Sequence, residues 1–143
     1  MMCVIAIEGV LALGKDLKTA QPTKWARQLY DGLHTQYRMV GFTQNDYVLA
    51  KWWLQREMLK DWAAVMTQDD VIVRYDDWKL RQREDFLTEG WEVAMIIDTA
   101  PAVIHRATEM GILAMQLTYP VNRPGFRPPD EAPRPWSNIV ESS

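Results

Sequence analysis

The sequence is poor in the residues that support covalent and metal-centred chemistry. It holds a single cysteine, Cys3, which has no partner in the chain for a disulfide. That usage fits a reducing compartment or indifference to redox. Its two histidines, His34 and His105, lie far apart and share no metal-ligand spacing with Cys3. A zinc site is therefore not expected, and both read as structural or surface residues. No apolar run reaches the ~18 residues of a membrane span. The first residues lack the basic stretch of a secretory signal, so the expected compartment is the cytoplasm. A strong excess of one charge is missing too. The net charge is −3 with 24% charged residues, which argues against a general polyanion binder and leaves room for a local basic groove. No P-loop and no catalytic triad pattern is visible.

What is present is ordinary globular material with one excess. The chain has 143 residues, 48% of them hydrophobic, enough for one domain that buries roughly 68–70% of its unfolded surface. Seven residues are tryptophan, a residue that mostly marks core or interface.

Apolar runs and helical stripes alternate along the chain. Residues 3–8 read as a fully buried strand stopped by Gly9. Residues 9–22 read as a loop. Thr23 is placed to cap a helix with Trp25, Leu29 and Leu33 on one stripe. "YRMVGFT" (37–43) reads as a second strand. "NDYVLAKWWLQREMLKDW" (45–62) reads as a helix, capped by Asn45 or Asp46, with Tyr47, Ala50, Leu54 and Met58 as its face. "AAVM" or "VIVRY" within 63–75 supplies a short third strand. "DDWKLRQREDFLTEG" (76–90) reads as a charged surface helix closed by Gly90. "WEVAMIID" (91–98) is a strand ending in an acid. Pro101 opens a helix with Val103, Ile104, Ala107 and Met110 on its stripe, ending at Gly111. "ILAMQLT" (112–118) is the last strand.

Such alternation predicts an α/β fold: a three-layer Rossmann-like domain over residues 1–118, with a parallel sheet of about five strands. Sites in these sheets form where strands end. The residues at those ends are Ala6, Glu8, Thr43, Asp98 and Thr99. Beyond residue 118 the composition changes, since six of the eight prolines fall between Pro120 and Pro135. Proline at that density continues neither helix nor ladder. Residues 119–143 therefore read as an extended tail with Tyr119, Phe126 and Trp136 as anchors, covering a sheet edge or reaching a partner.

The strand ends carry a resemblance. "Ala6-Ile7-Glu8-Gly9-Val10-Leu11" resembles the first motif of the haloacid dehalogenase superfamily of phosphatases, Asp-x-Asp-Gly-(Thr/Val)-Leu. Thr43 in "MVGFT" matches the second motif, Lys79 in "DDWKL" the third, and Asp98 in "AMIIDTAP" the fourth. The second half, from "KWWLQREML" on, resembles the phosphatase module of phage polynucleotide kinase/phosphatases and small capless proteins encoded by bacteriophages. The likeness covers roughly residues 3–118 in order. Only a short stretch separates Leu11 from the first helix, so no cap domain is expected there.

The resemblance also implies what is missing. The family's nucleophile is the first-motif Asp, and position 6 is alanine, whose methyl can neither attack phosphorus nor bind a metal. Glu8 retains a carboxyl in the acid/base position but is one methylene longer. Of the family's Mg²⁺ ligands only Asp98 survives, and one carboxylate makes a poor metal site. Thr43 and Lys79 remain as phosphate-binding candidates. Each of these residues also has a plainer role. Glu8 reads as a loop acid near a helix end, Thr43 as a helix cap, Lys79 as part of a solvated charged face, and Asp98 as a cap for the Pro101 helix.

Three functions follow. The first is a catalytically degenerate phosphatase-like protein. It would bind a phosphate ligand at the old cleft, or a protein partner through Trp52, Trp53 or Trp136. Adjacent Trp52 and Trp53 lie ~100° apart on a helix, so one of them is expected at the surface. The second is a Mg²⁺-dependent phosphatase acting on a nucleotide or polynucleotide phosphate. The third is a nucleic-acid accessory factor that uses the basic cluster Lys79, Arg81 and Arg83.

Overall fold

The computed structural model describes residues 1–68 and 73–118, with all their side chains except those of Arg83, Leu87 and Thr88. The tail with Tyr119, Phe126 and Trp136 lies outside the described residues, as do residues 71–72 of "VIVRY".

Five strands form one parallel sheet: β1 (Met2–Ala6), β4 (Arg38–Thr43), β5 (Ala64–Thr67), β6 (Val93–Asp98) and β7 (Leu113–Gln116), in the order β5-β4-β1-β6-β7. A two-stranded antiparallel ladder, β2 (Ala12–Leu13) with β3 (Gln21–Pro22), stands apart. The helices are α1 (Ala26–Leu33), α2 (Tyr47–Arg56), α3 (Tyr75–Thr88) and α4 (Pro101–Glu109).

The strand β1 sits at the centre, and its composition explains why. Cys3 and Ile5 join one apolar core with Tyr30 of α1 and Trp53 and Leu54 of α2. Met2 and Val4 join the other, with Trp78 of α3 and Val103 and Ala107 of α4. A strand apolar on both faces can only be buried on both faces. The chain winds outward from β1 to β4 and β5 through α1 and α2, then returns to β6 and β7 through α3 and α4 on the opposite face. Between β1 and β6 the winding reverses, and that is where such sheets open a crevice at the strands' carboxyl ends.

Several local expectations change. Thr23 does not cap α1. Its hydroxyl donates to Val10 O at 2.9 Å, and Trp25 Nε1 donates to the same carbonyl at 2.8 Å. Both side chains pin the turn after β1 instead of the helix that follows. The helix over 45–62 is shorter than its pattern. Asp46 caps it by accepting from Val48 N and Leu49 N, and it stops at Arg56, with Met58 at φ 60°. Its inward face is Ala50, Trp53 and Leu54, while Tyr47 and Met58 are exposed. The third strand comes from the "AAVM" stretch. The 9–22 loop holds the β2–β3 ladder, and no inserted domain stands there.

Candidate functional site

The site begins with the turn at the end of β1. Glu8 stays extended (φ −71°, ψ 123°), Gly9 reverses the chain at φ 96°, and Ala12 N–H closes the turn on Ile7 O. A Cβ on Gly9 would stand 3.0 Å from Thr99 Cγ2 and 3.1 Å from Thr99 Oγ1. Glycine is thus needed both for the left-handed backbone and for the close approach of this turn to the end of β6.

The turn drives the Glu8 side chain inward. It is buried, and its Oε1 accepts from Thr43 Oγ1, from Gln44 N at 2.9 Å and from Asn45 Nδ2 at 2.7 Å. Glu8 is therefore not a loop acid at the surface. It ties the end of β1 to the end of β4. Thr43 is fully buried and accepts from Asn45 N at 3.0 Å. It shapes the turn ahead of α2, whose cap is Asp46. The other oxygen of Glu8, Oε2, and the Tyr75 hydroxyl are both buried, and the two side chains face each other with no further partner among the described residues. Burial, followed by the nearby carboxylates of Glu8, Asp98 and Asp76, pushes Tyr75 well above the usual phenol range.

A second pair lies beside the first. Lys79 is 3% exposed and Asp98 2%. Lys79 Nζ donates to both Asp98 oxygens, at 2.9 and 2.8 Å. It stands 3.4 Å from Asp76 Oδ1 and 4.4 Å from the centre of the Tyr75 ring. Asp98 Oδ1 further accepts from Thr99 N at 2.7 Å and Ala100 N at 3.0 Å. These amides precede α4, whose N-cap is Ala100 with no side-chain bond, so Asp98 holds the loop and does not cap the helix.

Lys79 thus leaves the solvated face assigned to it. Tyr75, Trp78 and Lys79 fall on the inward side of α3, where Trp78 packs edge-on against Phe42 at 5.3 Å. Asp76 stays beside Lys79, whereas Asp77 and Arg81 are exposed. The basic cluster therefore does not form: Lys79 is buried, Arg81 is exposed, and the Arg83 side chain lies outside the described residues.

Over these pairs opens a cleft of about 500 Å³, lined by residues that include Glu8, Lys15, Gln44, Arg74, Tyr75, Asp76, Lys79 and Thr99. Lys15 and Arg74 are exposed at its rim. Ala6 is not on its wall and belongs to the apolar core. The structure brings Glu8, Thr43, Lys79 and Asp98 together and leaves Trp52 and Trp53 elsewhere, while Trp136 lies outside the described residues. Trp53 is buried under α2 with Nε1 donating to Ala20 O at 3.0 Å. Trp52 is exposed, with the Arg56 guanidinium 4.8 Å over its ring. Sequence reasoning missed Lys15, Gln44, Asn45, Arg74 and Tyr75. Only Tyr75 had a signal, its i, i+4 relation to Lys79.

Solved structures that share this fold include two chains from complexes. One is a chain of the Pnkp1/Rnl/Hen1 RNA repair complex, with TM-score 0.66 and 15% identity over 82% of this chain and 42% of that one. The other is a chain of a Pnkp1/Rnl/Hen1 complex, with TM-score 0.66 and 16% identity over 82% of this chain and 46% of that one. This protein therefore spans less than half the length of either. No protein-family profile and no curated protein matches it.

The residues present do not fit Mg²⁺. Among the described residues no three His, Cys, Asp or Glu side chains come together as a metal group. Both oxygens of Asp98 are taken by Lys79, and Glu8 offers one oxygen only. Mg²⁺ is held by one or two carboxylates beside its waters, and here the strand-end acid Asp98 is already paired with an ammonium.

Proposed function

We propose that this chain is a haloacid dehalogenase-like protein that binds a phosphate-bearing ligand in the cleft without hydrolysing it. The observation that carries the reading is the division of labour at the strand ends. Position 6 presents a methyl group inside the core, and the two carboxylates nearby are committed to Thr43, Gln44 and Asn45 on one side and to Lys79 on the other. Among the described residues, position 6 offers phosphorus no nucleophile where the resemblance has an Asp. The rim offers Lys15 and Arg74, neither of which forms an ion pair among the described residues, and a guanidinium suits the two-pronged recognition of phosphate. The likeness to RNA repair chains supports a nucleotide or an oligonucleotide end as the source of that phosphate.

The test is calorimetric titration with inorganic phosphate and a 3′-phosphorylated oligonucleotide, run beside an assay for phosphate release with Mg²⁺. Saturable binding is expected, weakened about tenfold or more by Arg74→Ala, with no release by the wild type. Turnover by the wild type overturns the reading and restores the phosphatase. The companion variant Ala6→Asp places a carboxylate in an apolar core. It is expected to lower stability by about 2–3 kcal/mol rather than to start turnover.

A second reading is a protein-binding role through α2. Val48 and Trp52, one turn apart, are both exposed, and an exposed tryptophan is a common contact residue.

A further inference from the structure

The buried ammonium of Lys79 is paired with Asp98, the one acid the resemblance would offer to a divalent cation. We infer that Lys79 is the permanent cation of this cleft, so that ligand binding is independent of divalent metal and the wild-type site excludes it. The ligand part of this inference rests on the phosphate-binding reading; the metal part does not.

Coordination is the first argument. Lys79 Nζ has three N–H groups and meets three carboxylate oxygens: Asp98 Oδ1 at 2.9 Å, Asp98 Oδ2 at 2.8 Å and Asp76 Oδ1 at 3.4 Å. The Tyr75 ring approaches the same ammonium, its centre 4.4 Å away. Asp98 Oδ1 is also engaged by two backbone N–H groups. Asp98 Oδ1 thus accepts from three N–H groups and Oδ2 from the ammonium, so both oxygens are already engaged.

Charge is the second. An Mg²⁺ entering at Asp98 would face the ammonium a few ångströms away, in a pocket where Lys79 and Asp98 are both almost wholly out of water. Like charges at that range in a poorly screened site repel strongly. Mg²⁺ also gives up its water reluctantly. Ion and ammonium compete for one carboxylate, and the ammonium is covalently tethered to α3. Remove it and the balance inverts: Asp98 and Asp76 would be left without their cation.

The experiment uses Mn²⁺ as probe for the divalent ion and inorganic phosphate as probe for the ligand. Electron paramagnetic resonance titration of the wild type should show no stoichiometric Mn²⁺ site. The side-chain ammonium signal of Lys79, observed by ¹⁵N nuclear magnetic resonance, should persist unchanged in millimolar Mg²⁺. Phosphate affinity should agree within about twofold in Mg²⁺ and in chelator. In Lys79→Met a Mn²⁺ site should appear and should be lost again in Lys79→Met combined with Asp98→Asn. A stoichiometric Mn²⁺ site in the wild type that Asp98→Asn removes overturns the inference. Phosphate binding that needs Mg²⁺ does so as well. If Lys79→Met does not fold, the wild-type titration and the ammonium signal still decide. If phosphate binds under no condition, the phosphate-binding reading fails while the Mn²⁺ titration still judges the role of Lys79.

Discussion

Thr43 and Glu8 are joined side chain to side chain, the hydroxyl at the end of β4 donating to the carboxylate just past the end of β1. The bond fastens the two strands on one wall of the cleft. Thr43→Val keeps the shape and removes the donor from a buried carboxylate. It should cost about 1–3 kcal/mol of stability, read from the urea midpoint at unchanged m-value. A cost near zero would mean that Gln44 N and Asn45 suffice to hold Glu8.

Gly9 sets how closely the β1 turn approaches the β6 end. Gly9→Ala must take φ near 96° and bring its Cβ to about 3 Å from Thr99. The strained backbone alone costs about 1–3 kcal/mol. Thermal unfolding should show the loss, and the same variant should weaken phosphate binding, because Gly9 and Thr99 both line the cleft. Gly14→Ala is the control for space: nothing stands within 4 Å of the added carbon there.

The neighbouring tryptophans should separate cleanly. Trp53→Ala empties a fully buried site and strips a donor from Ala20 O, for about 3–5 kcal/mol. Trp52→Ala removes an exposed ring and one stacked guanidinium, for about 1 kcal/mol or less. Equal losses in denaturant unfolding would contradict the placement of α2.

Cys3 gives the chain a pH dependence. Burial raises its thiol from 9.0 to about 12. Below the ordinary value both folded and unfolded chains keep the proton, and the thiol's contribution to stability is fully present. Above it the unfolded chain ionises first, so stability falls by about 1.4 kcal/mol per pH unit until the folded thiol ionises too. The unfolding free energy of the wild type should therefore drop more steeply than that of Cys3→Ala between about pH 9 and about pH 11. The native thiol should also react with disulfide reagents only after unfolding.

The architecture was legible because period and composition agree along most of the chain. "CVIAI" has no polar face, so it could only be a central strand. "WEVAMIID" and "MVGFT" each end in a polar residue, Asp98 and Thr43, at the strand's carboxyl end. The capping of α2 by Asp46 and the opening of α4 at Pro101 are local chemistry, written in adjacent residues. The length of α2 was less legible. Its apolar pattern continues past Arg56, but Met58 turns left-handed there and Leu59 N closes back on Leu54 O at 2.8 Å.

The sequence by itself determined the strand ends, and with them the positions at which Glu8, Thr43, Asp98 and Ala6 had to stand. That information is local, because alternation and turn residues act within a few positions of one another. The pairing of those residues was decided by the tertiary structure alone. Lys79 sits in a run of charges that reads as a solvent face, and only the packing of Trp78 on Phe42 turns it inward onto Asp98. Lys15 reaches the cleft from one segment and the adjacent Arg74 and Tyr75 from another, far away in the chain. Nothing short-range records that meeting, because it depends on how two layers of helices close over one sheet.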